Sequence, residues 1–288
     1  MQDGIRRWIT GEGTFRILAV SARATVEKAL SVCDATGAAG ELYGEMLLGG
    51  ALYQIAFAPA DRVQFALENE GEVGKLLADI RPGVALRGQI ENPEATEALV
   101  GAKASMRVSR QSPRGGGYYE SIISVPGEKI ADAFQVYALQ SDQVLTFMAL
   151  DVSHKEGELV HAAGLFVQAL PGATHDHLAK VTHCLEETRF KDQMMVTGDP
   201  FAVVPGMFYD LDLHELGTDP LMYRCGCSKA SLGVALGTLS TDNLMEMAAV
   251  GRTEAVCEFC RTQYVFSGDE IRGIHDRKIE AASELESD

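Results

Sequence analysis

Two short stretches decide how this chain is read: RCGCSK at positions 224–229, carrying Cys225 and Cys227, and VCEFC at 256–260, carrying Cys257 and Cys260. They hold four of the six cysteines, and 29 residues separate Cys227 from Cys257. Two close pairs set that far apart are the layout of a tetrahedral four-cysteine zinc site. Gly226 lets the Cys-Gly-Cys turn close without a clashing Cβ, and the second pair brings its sulfurs from a distant turn. Three other readings stand beside this one. The cysteines are buried and unrelated, or they form a purely structural staple, or CEFC is the catalytic pair of a thiol–disulfide oxidoreductase. A redox Cys-X-X-Cys normally opens a helix after a strand in a βαβ setting, and here a second pair competes for the same role.

The surrounding chain narrows the choice. With 288 residues, 46% hydrophobic and 23% charged, it can bury a sizeable core as one large domain or two smaller ones. The start, MQDGIRRWITGEGTF, has no apolar core of a signal peptide. The longest uncharged apolar run, Met46 to Ala60, is too short to cross a bilayer. A soluble, cytoplasmic protein is expected, with no membrane partner. Cytosolic thiols stay reduced, which favours metal binding over a structural disulfide. The net charge of −16 argues against a nucleic-acid partner. The tail from Leu221 to Asp288 supplies no basic patch, with seven Lys/Arg against eleven Asp/Glu. That also weakens a second functional reading, a zinc ribbon docking nucleic acid or transcription machinery.

Hydrophobic periodicity predicts an α+β core of antiparallel sheets with helices over residues 1–172. ATVEKALSVCDA and ELYGEMLLGGALYQIAF read as helices, the second apolar enough to be buried. RVQFALENE, VALRGQIEN, ASMRVSR and YYESIISV read as antiparallel strands. KIADAFQVYALQSDQ places Ile130, Ala133, Phe134 and Tyr137 on one helical face, and strand character returns in VLTFMALDVS and LVHAAGLFVQAL. Beyond Pro171-Gly172 the composition changes. Residues 173–224 hold one amphipathic segment, HLAKVTHCLEET, several prolines and glycines, and too few apolar residues to fold alone. They are expected to form a partly helical linker. Residues 225–288 are expected to form a small four-cysteine zinc-binding domain with a helix capped by Ser240 or Asp242 and a short QYVF strand.

A domain so small has too little core to stand alone. Structural zinc contributes about 10–16 kcal/mol in finger-like units, against about 5–15 kcal/mol for the stability of a whole domain. Loss of the ion should therefore unfold the tail. Oxidants attack thiolates, and Arg224, Lys229 and Arg261 lie beside the cysteines in sequence, where positive charge favours the ionised form. A Cys-X-Cys disulfide would be strained and easily reduced, which suits a reversible switch better than a staple.

These residues resemble the heat shock protein 33 family of redox-regulated holdase chaperones. CGCSK, then CEFC 29 residues later, then QYVF is similar to that family's zinc domain. VALRGQIENP (Val84 to Pro93), YALQSDQ (Tyr137 to Gln143) and AAGLFVQALPGA (Ala162 to Ala173) resemble its core in the same order. Ser121 stands where the family's pattern has a glycine. The resemblance implies one zinc ion per chain in the reduced form, held by Cys225, Cys227, Cys257 and Cys260. It implies that oxidation forms the disulfides Cys225–Cys227 and Cys257–Cys260, releases zinc, and unfolds the tail and linker. The exposed apolar surface would then bind unfolded client proteins without ATP and prevent aggregation under oxidative stress, as a homodimer. No catalytic role is implied, and no local signature supports a Ser-His-Asp or Cys-His site.

Cys33 reads as a small buried hydrophobe, and Cys184 as a passive thiol on the linker helix. His175, His177 and His183 cluster in THDHLAKVTHC but read as solvated side chains rather than a second metal site. SPRGGGYY lacks the lysine of a phosphate loop and reads as a hairpin turn.

Overall fold

The computed structural model describes residues 2–285 except Leu99, Ala102, Arg114, Gly116 and Pro126. It forms two compact units, Met1–Arg224 and Cys225–Asp288. The first half of the larger unit holds β1 (Gly4–Thr10), β2 (Phe15–Ser21), α1 (Arg23–Cys33), α2 (Gly37–Phe57), β3 (Arg62–Glu68), β4 (Leu76–Arg81), β5 (Ala85–Ile90), β6 (Ser105–Gln111) and β7 (Tyr118–Ser124). Then come α3 (Ile130–Ser141), β8 (Thr146–Lys155), β9 (Glu158–Ala169), α4 (His175–Glu187), α5 (Phe190–Thr197), α6 (Pro200–Met207), β10 (Leu213–Pro220) and β11 (Met222–Tyr223). The α+β class expected from the sequence is the class observed.

The strands make two sheets, in the orders β10-β1-β2-β9-β8 and β11-β5-β4-β3-β6-β7. All neighbours are antiparallel except the short β11–β5 pair. Helix α2 packs against strands of both sheets. A helix with apolar neighbours on every side must be apolar all round, and Met46, Leu47, Leu48, Ala51, Leu52 and Tyr53 are all fully buried. Its glycines admit close neighbours: a Cβ on Gly49 would lie 2.3 Å from Phe134 Cε2. The α3 face predicted from spacing is also in place, with Ile130, Ala133, Phe134 and Tyr137 buried. Strands β6 and β7 pair on either side of SPRGGGYY, in which Arg114 and Gly116 lie outside the described residues.

The five-stranded sheet is buried on both faces. Leu18 and Val20 of β2 and Ala162 and Phe166 of β9 point into the main core. The alternate residues Phe15, Ile17, Ala19, Ala163, Leu165 and Val167 face the other way, into a second apolar cluster. Because strand side chains alternate in direction, a strand buried on both sides reads as a continuous apolar run, as AAGLFV at 162–167 does. Trp8 of β1 joins them, and the stretch read from sequence as a linker supplies the remaining buried residues of that second cluster. Val181, Cys184, Phe190, Met194, Phe201, Val203, Val204, Met207 and Phe208, from α4, α5, α6 and the residue after them, pack on the sheet's outer face. Beyond them β10 adds an edge strand to β1, Leu221 enters the main core, and β11 pairs with β5.

The smaller unit consists of α7 (Lys229–Leu236), α8 (Thr241–Val250), the hairpin β12 (Arg252–Val256) and β13 (Gln263–Ser267), and α9 (Gly268–Leu285). Ser240 is the N-cap of α8, its side chain accepting from Asn243 N at 3.2 Å. Its buried apolar cluster comprises Leu244, Ala248, Phe266, Ile271 and Ile274.

Candidate metal centre and covered sheet face

Cys257 and Cys260 lie in the turn of the β12–β13 hairpin. Two backbone hydrogen bonds shape that turn: Cys257 N to Thr262 O at 2.9 Å and Arg261 N to Cys257 O at 2.8 Å. Arg261 takes a left-handed conformation, φ 57°, to close it. Cys225 and Cys227 precede α7, whose N-cap Ser228 forms a reciprocal capping box with Ser231. The hairpin setting lacks the strand-then-helix geometry that the oxidoreductase reading of CEFC requires.

The fold brings all four sulfurs together, within 4.8 Å of one another. Cys225 and Cys257 are 3.7 Å apart and Cys227 and Cys260 are 3.3 Å apart. Zinc–thiolate bonds of about 2.3 Å place the sulfurs of a regular tetrahedron about 3.8 Å apart. The four cysteines thus fit a tetrahedral ion in donor type, number and spacing. Among the described residues no other group of three or more His, Cys, Asp or Glu ligand atoms converges in this way.

Polar neighbours distinguish the sulfurs. The Tyr264 hydroxyl lies 3.2 Å from Cys227 Sγ, and Thr262 Oγ1 lies 3.2 Å from Cys260 Sγ. Burial pushes the Cys260 thiol up, but its hydrogen-bonding contacts with the Thr262 side chain and backbone outweigh burial and hold the group down at about 6. The Tyr264 hydroxyl pulls Cys227 down, whereas burial and the crowding of the other three sulfurs push it up to about 12. Cys257 is raised chiefly by burial. Crowding of this kind opposes ionisation of Cys227, and a divalent cation would supply the opposing charge.

Of the basic residues beside the cysteines, Lys229 is engaged elsewhere. Its Nζ lies 2.5 Å from Glu270 Oε1 and over the Phe266 ring. His177 is spent on capping α4, accepting from Thr174 N at 3.1 Å, and its Nε2 is 2.7 Å from Glu12. His183 pairs with Glu187, and among the described residues His175, His177 and His183 do not converge as a ligand group. Cys33 is half-buried and donates to Ala29 O at 3.3 Å. Cys184 is buried in the second apolar cluster, its thiol raised chiefly by burial.

The covered sheet face is the other candidate site, and little in the sequence pointed to it. Its cover consists of three helices, two of them only eight residues long, and α6 contains Pro205 in its interior. Polar contacts also join cover and core. Lys191 Nζ lies 3.4 Å from Glu45 Oε1, and the Arg6 guanidinium stacks 4.5 Å from the Phe201 ring centroid. A cavity of about 350 Å³ remains beside α4, with Phe15, Phe147, Val167, Leu178, Val181 and Leu185 in its lining. Tryptophan and arginine in IRRWIT hid β1 from periodicity, because Trp8 faces the cover, Arg6 stacks on Phe201 of the cover, and Arg7, on the opposite face, pairs with Asp219 of β10 at 2.7 Å. Among the described residues no helix is long and apolar enough to cross a membrane.

Comparison with known proteins agrees with this architecture. A family model described as Hsp33 protein matches residues 3–267. Curated relatives named 33 kDa chaperonin include one from Thermus thermophilus, 30% identical over 94% of this chain and 86% of its own length. Another, from Limosilactobacillus fermentum, is 27% identical over 94% of this chain and 98% of its own. The crystal structure of a 33 kDa chaperonin from Thermotoga maritima superposes with a TM-score of 0.85 at 21% identity, covering 97% of this chain and 100% of that one.

Proposed function

The chain belongs to the Hsp33 family, and from that premise we propose that it is an ATP-independent holdase whose client-binding surface is held closed by four reduced cysteines. In this reading Cys225, Cys227, Cys257 and Cys260 bind one zinc ion, which when bound cross-links two distant turns of the small unit. The observation that carries the proposal is the convergence of those four sulfurs within 4.8 Å in a unit whose buried cluster, among the described residues, comprises five side chains. With so little apolar burial, the sulfurs and whatever they bind dominate the unit's stability.

Oxidation has a defined course. A thiolate attacks a peroxide oxygen, the O–O bond breaks, hydroxide leaves, and the sulfur becomes a sulfenic acid. A second thiolate attacks that sulfur and displaces another hydroxide, so two thiolates give up two electrons and the peroxide accepts them. The pairs proposed are Cys225–Cys227 and Cys257–Cys260. Sulfurs bonded to each other no longer serve as thiolate ligands, and the small unit loses its cross-link.

The surface to be uncovered is the outer face of the five-stranded sheet, with residues 173–224 as the metastable segment. Helices of eight residues are marginal on their own in water, and Pro205 removes a hydrogen bond from α6. The cover therefore holds chiefly by packing on the sheet, with a few polar contacts such as Lys191–Glu45 at its edge. Its loss would bare Trp8, Phe15, Ile17, Leu165 and Val167, each worth about 1.5–3 kcal/mol of burial that an unfolded client could restore. Dimerisation of the oxidised form would shield part of the same apolar area, and a reducing cytoplasm is the compartment where the switch rests.

The test measures bound zinc before and after peroxide treatment alongside suppression of aggregation of a heat-unfolded client. One zinc per reduced chain, lost on oxidation, with suppression appearing only afterwards, is expected. Full protection by the zinc-loaded form, or none by the oxidised form, would rule the reading out. Peptide mapping of the oxidised chain reports the disulfide pairs.

A further inference from the structure

We propose that Tyr264 positions the Cys227 sulfur and governs how readily the cysteine cluster is oxidised, through the hydroxyl that lies 3.2 Å from that sulfur. The inference rests on the redox reading above and names the residue that sets its threshold.

The geometry is specific. Tyr264 pairs with Ala255 across the hairpin, and its ring packs beside Phe266 at the edge of the unit's apolar cluster. Positions 264 and 266 of β13 share a face. The ring is therefore held by the small core while its hydroxyl extends past that core to Cys227. An ionised sulfur can only accept, so the phenol O–H must be the donor once Cys227 is a thiolate. Such a charge-assisted bond draws negative charge from the sulfur and fixes its direction.

A thiolate relieved of part of its charge is a weaker nucleophile, since thiolate reactivity falls with basicity along a Brønsted slope of about 0.4–0.5. The attack on peroxide described above is the step this slows, because the S–O bond forms from electron density on the sulfur that the Tyr264 hydrogen bond draws down. Partners of metal ligands also hold the ligands in place, and their loss typically lowers metal affinity by about 10–100-fold. Tyr264 thus raises the oxidant level the cluster tolerates and strengthens its hold on metal.

Tyr264→Phe removes the hydroxyl and keeps the ring. At equal peroxide and neutral pH, the full-length zinc-loaded variant should release zinc, followed with a chromogenic chelator, about threefold faster than wild type, as that slope gives for a tenfold change in sulfur basicity. Zinc affinity should fall about tenfold. With Co²⁺ as the probe, the thiolate-to-metal absorption band should move to longer wavelength, a readout independent of oxidation. Equal release rates and an unmoved cobalt band would overturn the proposal. A zinc-saturated variant whose far-ultraviolet spectrum shows an unfolded tail would overturn it too, by making the hydroxyl structural. If wild type itself keeps its zinc under peroxide, the redox reading fails, while the cobalt band still decides whether Tyr264 acts on the sulfur.

Discussion

At position 49 the chain has room for a hydrogen atom and nothing larger. A Cβ there would overlap the Phe134 ring at 2.3 Å, and that ring cannot retreat, because it is buried and packed edge-on against Phe65 with centroids 5.0 Å apart. Gly49→Ala should destabilise the larger unit by about 1–3 kcal/mol through overpacking, despite alanine's better helix propensity, and an unchanged urea midpoint would count against this packing. Asp79 is the other residue under strict demand. Its carboxylate is fully buried on the six-stranded sheet and accepts from Arg62 Nε at 2.7 Å and Arg87 Nε at 2.8 Å. Burial raises its pKa, but the hydrogen bonds from Arg62 and Arg87 outweigh that and leave it below the ordinary carboxylate value. A depressed folded value means the stabilisation is present above about pH 3.9 and is lost as pH falls through the folded value. Asp79→Asn should cost about 3–5 kcal/mol at neutral pH by leaving two arginines unmatched, and its stability should fall less steeply than wild type's below about pH 4. Equal slopes in urea unfolding between pH 5 and 2 would contradict the assignment.

Among the elements, legibility followed burial. Helix α2 could be read because an all-round apolar run of its length has one reading, and α3 because four buried residues recur at helical spacing. Strands β3 and β6 alternate and were also legible. The hairpin of β1 and β2 was not, since its arginines interrupt the period, and neither were α5 and α6, which are eight residues each and owe their form to a sheet face that no local pattern announces. At the candidate metal centre the grouping of the four cysteines was legible from spacing alone. The hydroxyls of Thr262 and Tyr264 were not, because only the hairpin register brings them to sulfur. If the cover holds by packing, one charge should release it. Val204 is fully buried between α6 and the sheet, so Val204→Asp should bind an apolar dye and suppress client aggregation without any oxidant, while retaining its zinc. A variant that stays dye-negative would show that the cover does not depend on this contact. At the far end of the cover, Leu221 and β11 anchor the chain to the main core immediately before Cys225.

For the whole molecule, the two units differ in what keeps them folded. Among the described residues the larger buries two extensive apolar clusters, whereas the smaller buries a cluster of five apolar side chains beside four convergent sulfurs. A strong chelator under reducing conditions should therefore unfold residues 225–288, loosen the cover helices and leave strands β1 to β9 intact, which limited proteolysis would report as cleavage confined to the tail and the cover. The most direct measurement is amide hydrogen exchange, resolved by segment, on the reduced zinc-loaded and peroxide-oxidised forms. Protection lost on oxidation across both 225–280 and 175–208, with β3, β4 and α2 unchanged, is the predicted result. Cover helices that exchange equally slowly in both forms would contradict it, because the apolar sheet face would then never be exposed by the loss of four thiolates.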